Sequence, residues 1–341
     1  MEIIPTIIET TEDIKNLSRN MQIAYAEIGN TRAKFEAAYG NKNITSADFD
    51  PNFWRFVGVH DALSKFLEFT ASDIMSVDNI ALAQRARYFC DLMMWVKHLT
   101  NPKKDPRDYL EHLLRGKRFH YETTIEHFDR EISTLRQIGK EYDLLLLKTA
   151  ARAALLEKPC PDSAEIDNIT RSFHSRLDKT FSIYRTVSFS NYEQYALSIE
   201  NEILPGYVSE LEKVKKQIED FEITLDRKIC KKHDSKQFAE SVGMREDYEF
   251  IFRLTSQHLH ATPLSMSTQM NEISESERLI FLEYIRAKGN TILASSLFLA
   301  LRFREASQRI PGLGPNSYHS VFRRTPRRQE TVAGAVDSAP E

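Results

Sequence analysis

At 341 residues the chain is long enough for one large domain or two ordinary ones, with a substantial core. It has 11 glycines, 12 prolines and 28% charged residues, and long stretches without turn signals, which favours an all-α protein. A net charge of −3 supplies no global field for nucleic acid, so any such binding must be a local patch. Cys90, Cys160 and Cys230 are far apart and form no Cys-x-x-Cys pair, which fits a reducing cytoplasm. The amino terminus MEIIPTIIETTEDIKN has neither a basic region nor a long apolar run and does not read as a signal peptide. The longest strongly apolar stretch, Ile292 to Leu301, is too short to cross a bilayer, so no membrane partner is expected.

In chain order, the pattern predicts an extended piece over Glu2–Ile8. A helix follows from about Thr11, capped by Thr10 or Thr11, to Tyr39 before Gly40. After a turn-rich loop, Asn52 to Phe69 reads as a helix with Phe53, Phe56, Val57, Leu63 and Phe66 on its apolar stripe. Ser76-Val-Asp-Asn opens the next, which runs to about Thr100 and buries Leu82, Phe89, Met93 and Val96. A second stripe of this helix holds Arg87, Asp91, Trp95 and His98. A buried Asp91 needs a cationic or hydrogen-bonding partner, and Arg87 is the local one. The stripe reads equally as a structural ion pair and as part of a site.

Asn101 to Pro106 breaks the chain. From Arg107 to about Glu157 the periodicity is helical, either as one long helix or as two with a break near Gly139. The cluster Arg115-Gly-Lys-Arg-Phe-His120 offers cations and an aromatic ring to a phosphate backbone, but reads more simply as a solvated helical face. Helices are predicted over Ser163–Ser188 and over Tyr192–Lys231, the latter interrupted at Pro205-Gly206. A polar linker from Lys231 to Gly243 leads into a helix that stops before Pro263. A loop with Met266 and Met270, a last helix over Glu275–Gln308 and a disordered tail with Arg323 to Arg328 complete the chain.

No phosphate-binding glycine loop, Rossmann fingerprint, His-Glu-x-x-His, zinc-spaced ligand set or Gly-x-Ser-x-Gly elbow appears. The chemistry concentrates instead in Asp247 to Pro263. At about 100° per residue, Arg253 and His260 lie within roughly 20° of each other, two turns apart. His258 is rotated by roughly 140° from Arg253. Tyr248, Glu249, Phe252, Ser256 and Gln257 flank the Arg253 face. The simplest reading pairs Arg253 with Glu249 at i,i+4 and leaves His260 as a polar residue near a helix end.

Arg253 to His260 is an Arg-x6-His spacing and Arg253 to His258 an Arg-x4-His spacing, so both resemble the Arg-x(4–6)-His signature of the HEPN superfamily. The string Phe252-Arg-Leu-Thr-Ser256-Gln-His-Leu-His260 is similar to a HEPN-like bacterial family of unknown function. That family also has an upstream Arg-x3-acid helix, matched here by Arg87 and Asp91. The resemblance implies a HEPN-like helical bundle with a long helical insertion or arm. The bundle would take residues 1–104 and 246–310, the arm 105–245 and the tail 311–341.

It further implies a metal-independent endoribonuclease of toxin or antiphage-defence type, with RNA as substrate and no cofactor. It would act as a homodimer that supplies the second histidine, and an antitoxin or defence-system partner is implied as well. Arg253, His260 and Ser256 would be catalytic, with His258, Glu249, Arg87 and Asp91 in support. Where most active members have a polar residue after the arginine, this chain has Leu254. Two other readings therefore stand beside the enzyme. One is a non-catalytic module binding a nucleotide, RNA or a protein; the other is a scaffold in which Arg87, Asp91, Arg253 and His260 form a buried polar network.

Overall fold

The structure, a computed structural model, describes residues 3–40, 46–71, 79–157, 161–178, 191–229, 234–259 and 274–307. Among these residues the protein is all-α, with no strand. Its helices are α1 (Ile3–Tyr39), α2 (Pro51–Thr70), α3 (Asn79–Thr100), α4 (Arg107–Leu155) and α5 (Ser163–Asp178). They continue as α6 (Tyr192–Ser198), α7 (Leu204–Leu225), α8 (Ser235–Ser241), α9 (Arg245–Leu259) and α10 (Glu275–Ser307), with a π-helical turn, Ile199–Ile203, between α6 and α7. No helix among them is long and apolar enough to cross a membrane. The expectations for Cys160, Cys230, Met266, Met270 and the arginine tail lie outside the described residues.

Several local expectations change. Helix α1 begins at Ile3 and contains the piece expected to be extended. Pro5 falls in the first turn, where a backbone N–H has no intrahelical acceptor to lose. Thr10 and Thr11 are therefore interior and buried, not caps. Thr11 donates to Ile7 O at 2.8 Å, and Thr10 donates to Glu283 Oε1 on α10 at 2.6 Å.

Helix α4 is a single 49-residue helix that passes through Gly139 without a break. A Cβ at Gly139 would lie 3.3 Å from Tyr192 Cβ, so the glycine marks the close approach of α6. The interruption expected at Pro205 is the π turn, after which Pro205 occupies the first turn of α7. The polar linker contains α8. Asp234 caps it by accepting from Lys236 N and Gln237 N, and Gly243, at φ +67°, closes it. Gly243 N donates to Glu240 O and Met244 N to Ala239 O, the paired bonds of a Schellman end.

The chain divides into two compact units, one of residues 1–31, 59–96 and 254–341 and one of 32–58 and 97–253. In the first, α1 buries Ile7, Ile14, Leu17, Met21, Ala24 and Ile28 along one seam at heptad-like spacing. Phe66 of α2 packs on Phe89 of α3 with ring centroids 5.0 Å apart. Phe281, Leu282, Ile285 and Ile292 of α10 are fully buried. A Cβ at Gly289 would meet Leu17 Cδ2 and Phe66 Cε2, both at 2.6 Å, so only glycine lets α10 come this close to α1 and α2.

The second unit has two cores. One joins α4 to α5 and α6 through Phe128, Ile132, Leu135, Phe173 and Tyr195. The other sets Phe53, Trp54, Leu110 and Leu114 against Val214, Ile218 and Phe221 of α7. Arg55 serves as a C-terminal cap for α3: its guanidinium donates to Leu99 O, and to Asn101 O and Lys104 O at 2.9 Å each.

Candidate functional site

Helix α9 starts one residue after the Schellman end of α8, with Glu246 and Asp247 in its first turn, where the helix dipole favours acids. Ile251 and Thr255 are buried, whereas Arg253 and Phe250 face water. Tyr248 and Phe252, one turn apart, place their ring centroids at 5.6 Å.

The pair predicted from spacing, Arg253 with Glu249, is loose. Arg253 Nη2 lies 3.9 Å from Glu249 Oε2, and the arginine side chain is 82% exposed. Glu249 is committed elsewhere. Its Oε1 sits 2.9 Å from Lys236 Nζ on α8 and 3.3 Å from Arg245 Nε. The hydrogen bond from Lys236, then that from Arg245, holds the Glu249 carboxyl below its usual pKa, and Arg253 is not among the causes. Glu249 thus ties α8 to α9 and leaves the Arg253 guanidinium facing solvent.

Phe250, 52% exposed and three residues before Arg253, stands beside the arginine at i,i+3, a neighbour that the Arg-x(4–6)-His spacing does not include. Ser256, one turn beyond Arg253, turns its Oγ away from solvent, where it is buried without a hydrogen-bond partner among the described residues. His260 and the side chain of His258 lie outside the described residues.

In α3, Arg87 and Asp91 are electrostatically coupled at i,i+4. Burial pushes the Asp91 carboxyl up to about 6, against the opposing pull of Arg87. In the basic cluster on α4, Arg118 Nε donates to Glu122 Oε1 at 2.8 Å and Arg115 to His112, while Phe119 is exposed.

Sequence reasoning also missed a charged knot in the second unit. Arg227 Nη2 stands 2.8 Å from Asp108 Oδ1 and 3.2 Å from Glu111 Oε2. The other Asp108 oxygen lies 3.1 Å from Nε2 of the buried His98. Burial pushes the Asp108 carboxyl up, but the hydrogen bond from His98 and the charge of Arg227 outweigh it and hold the pKa below the usual value. Arg227 follows α7 across the left-handed Asp226, at φ +47°, a turn with no strong sequence signature. Among the described residues no three histidine, cysteine, aspartate or glutamate side chains converge as metal ligands.

Residues 154–289 match DUF5677, a family of unknown function. The matched stretch contains Glu249, Arg253, Ser256, His258 and His260 and leaves Arg87 and Asp91 outside it. No curated protein matches the chain, and no solved structure does.

Proposed function

We propose that the Arg253 face of α9 binds RNA and that the protein is a HEPN-like, metal-independent endoribonuclease. The observation that carries this reading is the exposure of Arg253. Lys236 and Arg245 hold one oxygen of its i,i+4 partner Glu249, and the other makes only a loose 3.9 Å contact, so a guanidinium stands exposed on a helix beside an exposed phenyl ring. A guanidinium holds two phosphate oxygens at once, and an aromatic face stacks on a base.

Cleavage without metal requires the ribose 2′-hydroxyl to lose its proton as it attacks phosphorus. The departing 5′-oxygen must gain one, and a 2′,3′-cyclic phosphate remains. Histidine titrates in the range needed for either transfer, and helical phase favours His260 over His258. One histidine serves one transfer, so a second chain completes the pair. Arg253 stabilises the charge on the phosphoryl oxygens. A toxin or antiphage role, with an antitoxin or defence partner, follows from the same resemblance.

A second reading is a module that binds RNA without cutting it, favoured by the half-buried Leu254 directly after Arg253. The test is cleavage of total RNA and of tRNA by the purified protein in EDTA. Wild type is compared with Arg253→Ala, His260→Ala and His258→Ala, with melting temperatures recorded. Cleavage that survives EDTA and vanishes in a folded His260→Ala protein supports the enzyme. Binding that needs Arg253 without any cleavage supports the module. A protein that neither binds nor cuts RNA overturns both.

A further inference from the structure

The far end of α4 changes character on its outer face. Earlier on that face stand Asp129, Ser133 and Lys140, all exposed. From Leu144 onward the same face becomes apolar. At about 100° per residue, Leu144, Leu147, Ala151, Ala154 and Leu155 occupy a stripe roughly 100° wide. It lies opposite Thr149 and Ala153, the residues this end of α4 does bury. Leu144 is 53% exposed, Leu147 68% and Leu155 86%. A helix that has buried its inner face is expected to show charge on its outer one. This one shows the core of another interface.

We infer that this stripe is the contact between two copies of the protein, with their α4 helices packed side by side and parallel. The charges at its edges choose that occupant and that direction. Asp143 borders one edge and Lys148 the other, both exposed. They are five residues apart, the spacing at which flanking residues of opposite sign meet across a parallel pair of helices. Asp143 of each copy then faces Lys148 of the other, twice by symmetry. An antiparallel pair instead sets Lys148 beside its own counterpart. Leu144 and Leu147 fill the contact, and Ala151 and Ala154 let the helices approach closely. Two copies bury on the order of 1,000 Å² in this way, near the lower bound for a specific interface. The contact therefore forms and dissociates in the micromolar range. It does not rest on the reading of Arg253 and His260.

Sedimentation velocity of the full-length protein across that range tests the proposal, with Leu147→Glu, Asp143→Lys, Lys148→Asp and the double charge reversal alongside. All three positions are exposed, and melting temperatures are expected to stay within about a degree of wild type. The wild type dimerises; Leu147→Glu raises the dissociation constant roughly tenfold or more, each single reversal raises it severalfold and the double reversal restores it. Ala151→Cys, in a background of Cys160→Ser and Cys230→Ser, cross-links to itself under mild oxidation, because only a parallel pair sets residue 151 opposite its own copy. A monomeric wild type overturns the proposal. So does a dimer indifferent to Leu147→Glu, or cross-linking only in a mixture of Ala151→Cys with Leu147→Cys, which signals antiparallel packing.

Discussion

Arg253 Nη2 stands 3.9 Å from Glu249 Oε2, while the other oxygen of that carboxylate is held at 2.9 Å by Lys236. The acid that appears in the sequence to neutralise the arginine is in fact the tie between α8 and α9. Arg253→Ala is accordingly expected to change stability by less than about 0.5 kcal/mol and to lower RNA affinity roughly tenfold. Phe250→Ala is expected to weaken binding to single strands by a similar factor. Chemical denaturation and filter binding of the two variants check both expectations. Arg253→Ala costing several kcal/mol would restore the buried-network reading.

Asp91 makes stability depend on pH. Its pKa, raised from 3.8 to about 6, means that the folded chain binds the proton more tightly than the unfolded one. The stability contributed is fully present below pH 3.8 and is lost as pH rises through about 6. Asp91→Asn keeps the neutral form at every pH. It is expected to exceed wild type by on the order of 2 kcal/mol at pH 7, with the gap closing towards pH 4. Urea titrations at several pH values read the gap directly.

Asp108 works in the opposite sense. Despite burial, its bond from His98 and the charge of Arg227 keep its pKa low. The stability it contributes is present above the unfolded carboxylate value and is lost as pH falls through the folded one. Its side chain is 36% exposed, so screening reduces the effect, and Asp108→Asn is expected to cost about 1 kcal/mol at pH 7. The mutant should lose less stability than wild type on acidification below pH 4, which melting curves across that range will show.

Gly289→Ala is expected to destabilise by about 1–3 kcal/mol, since the new methyl collides with Leu17 and Phe66. Combined with Leu17→Ala, which vacates part of that space, the two costs should add to less than their sum. Additive costs in a double-mutant cycle would mean that α10 does not touch α1 at this point.

The helical fold was largely legible in the sequence because helical periodicity is a local property. The apolar stripe of α2, the start of α9 after Gly243 and the long run of α4 each follow from residues within a few turns. Capping was less legible. Thr10 and Thr11 have cap chemistry, yet α1 carries them inside because Pro5 is tolerated in a first turn and α10 offers Glu283 to Thr10. Asp234 and Gly243 bracket a seven-residue helix too short for periodicity to reveal.

At the candidate site, helical phase put Arg253 and Glu249 on neighbouring positions and could not say whether they pair closely. Lys236 decides that from a different helix, through a contact thirteen residues away in the chain. The sequence by itself determined that this protein is all-α, where its main helices run and which residues carry the Arg-x(4–6)-His spacing, because backbone hydrogen bonding and helical phase depend on neighbours. Only the tertiary structure decided that Glu249 is engaged by Lys236, that burial raises the Asp91 carboxyl to about 6, that Asp108 meets Arg227 and that Leu147 faces water. Those outcomes depend on which surfaces distant helices cover, and burial and charge pairing are properties of that packing.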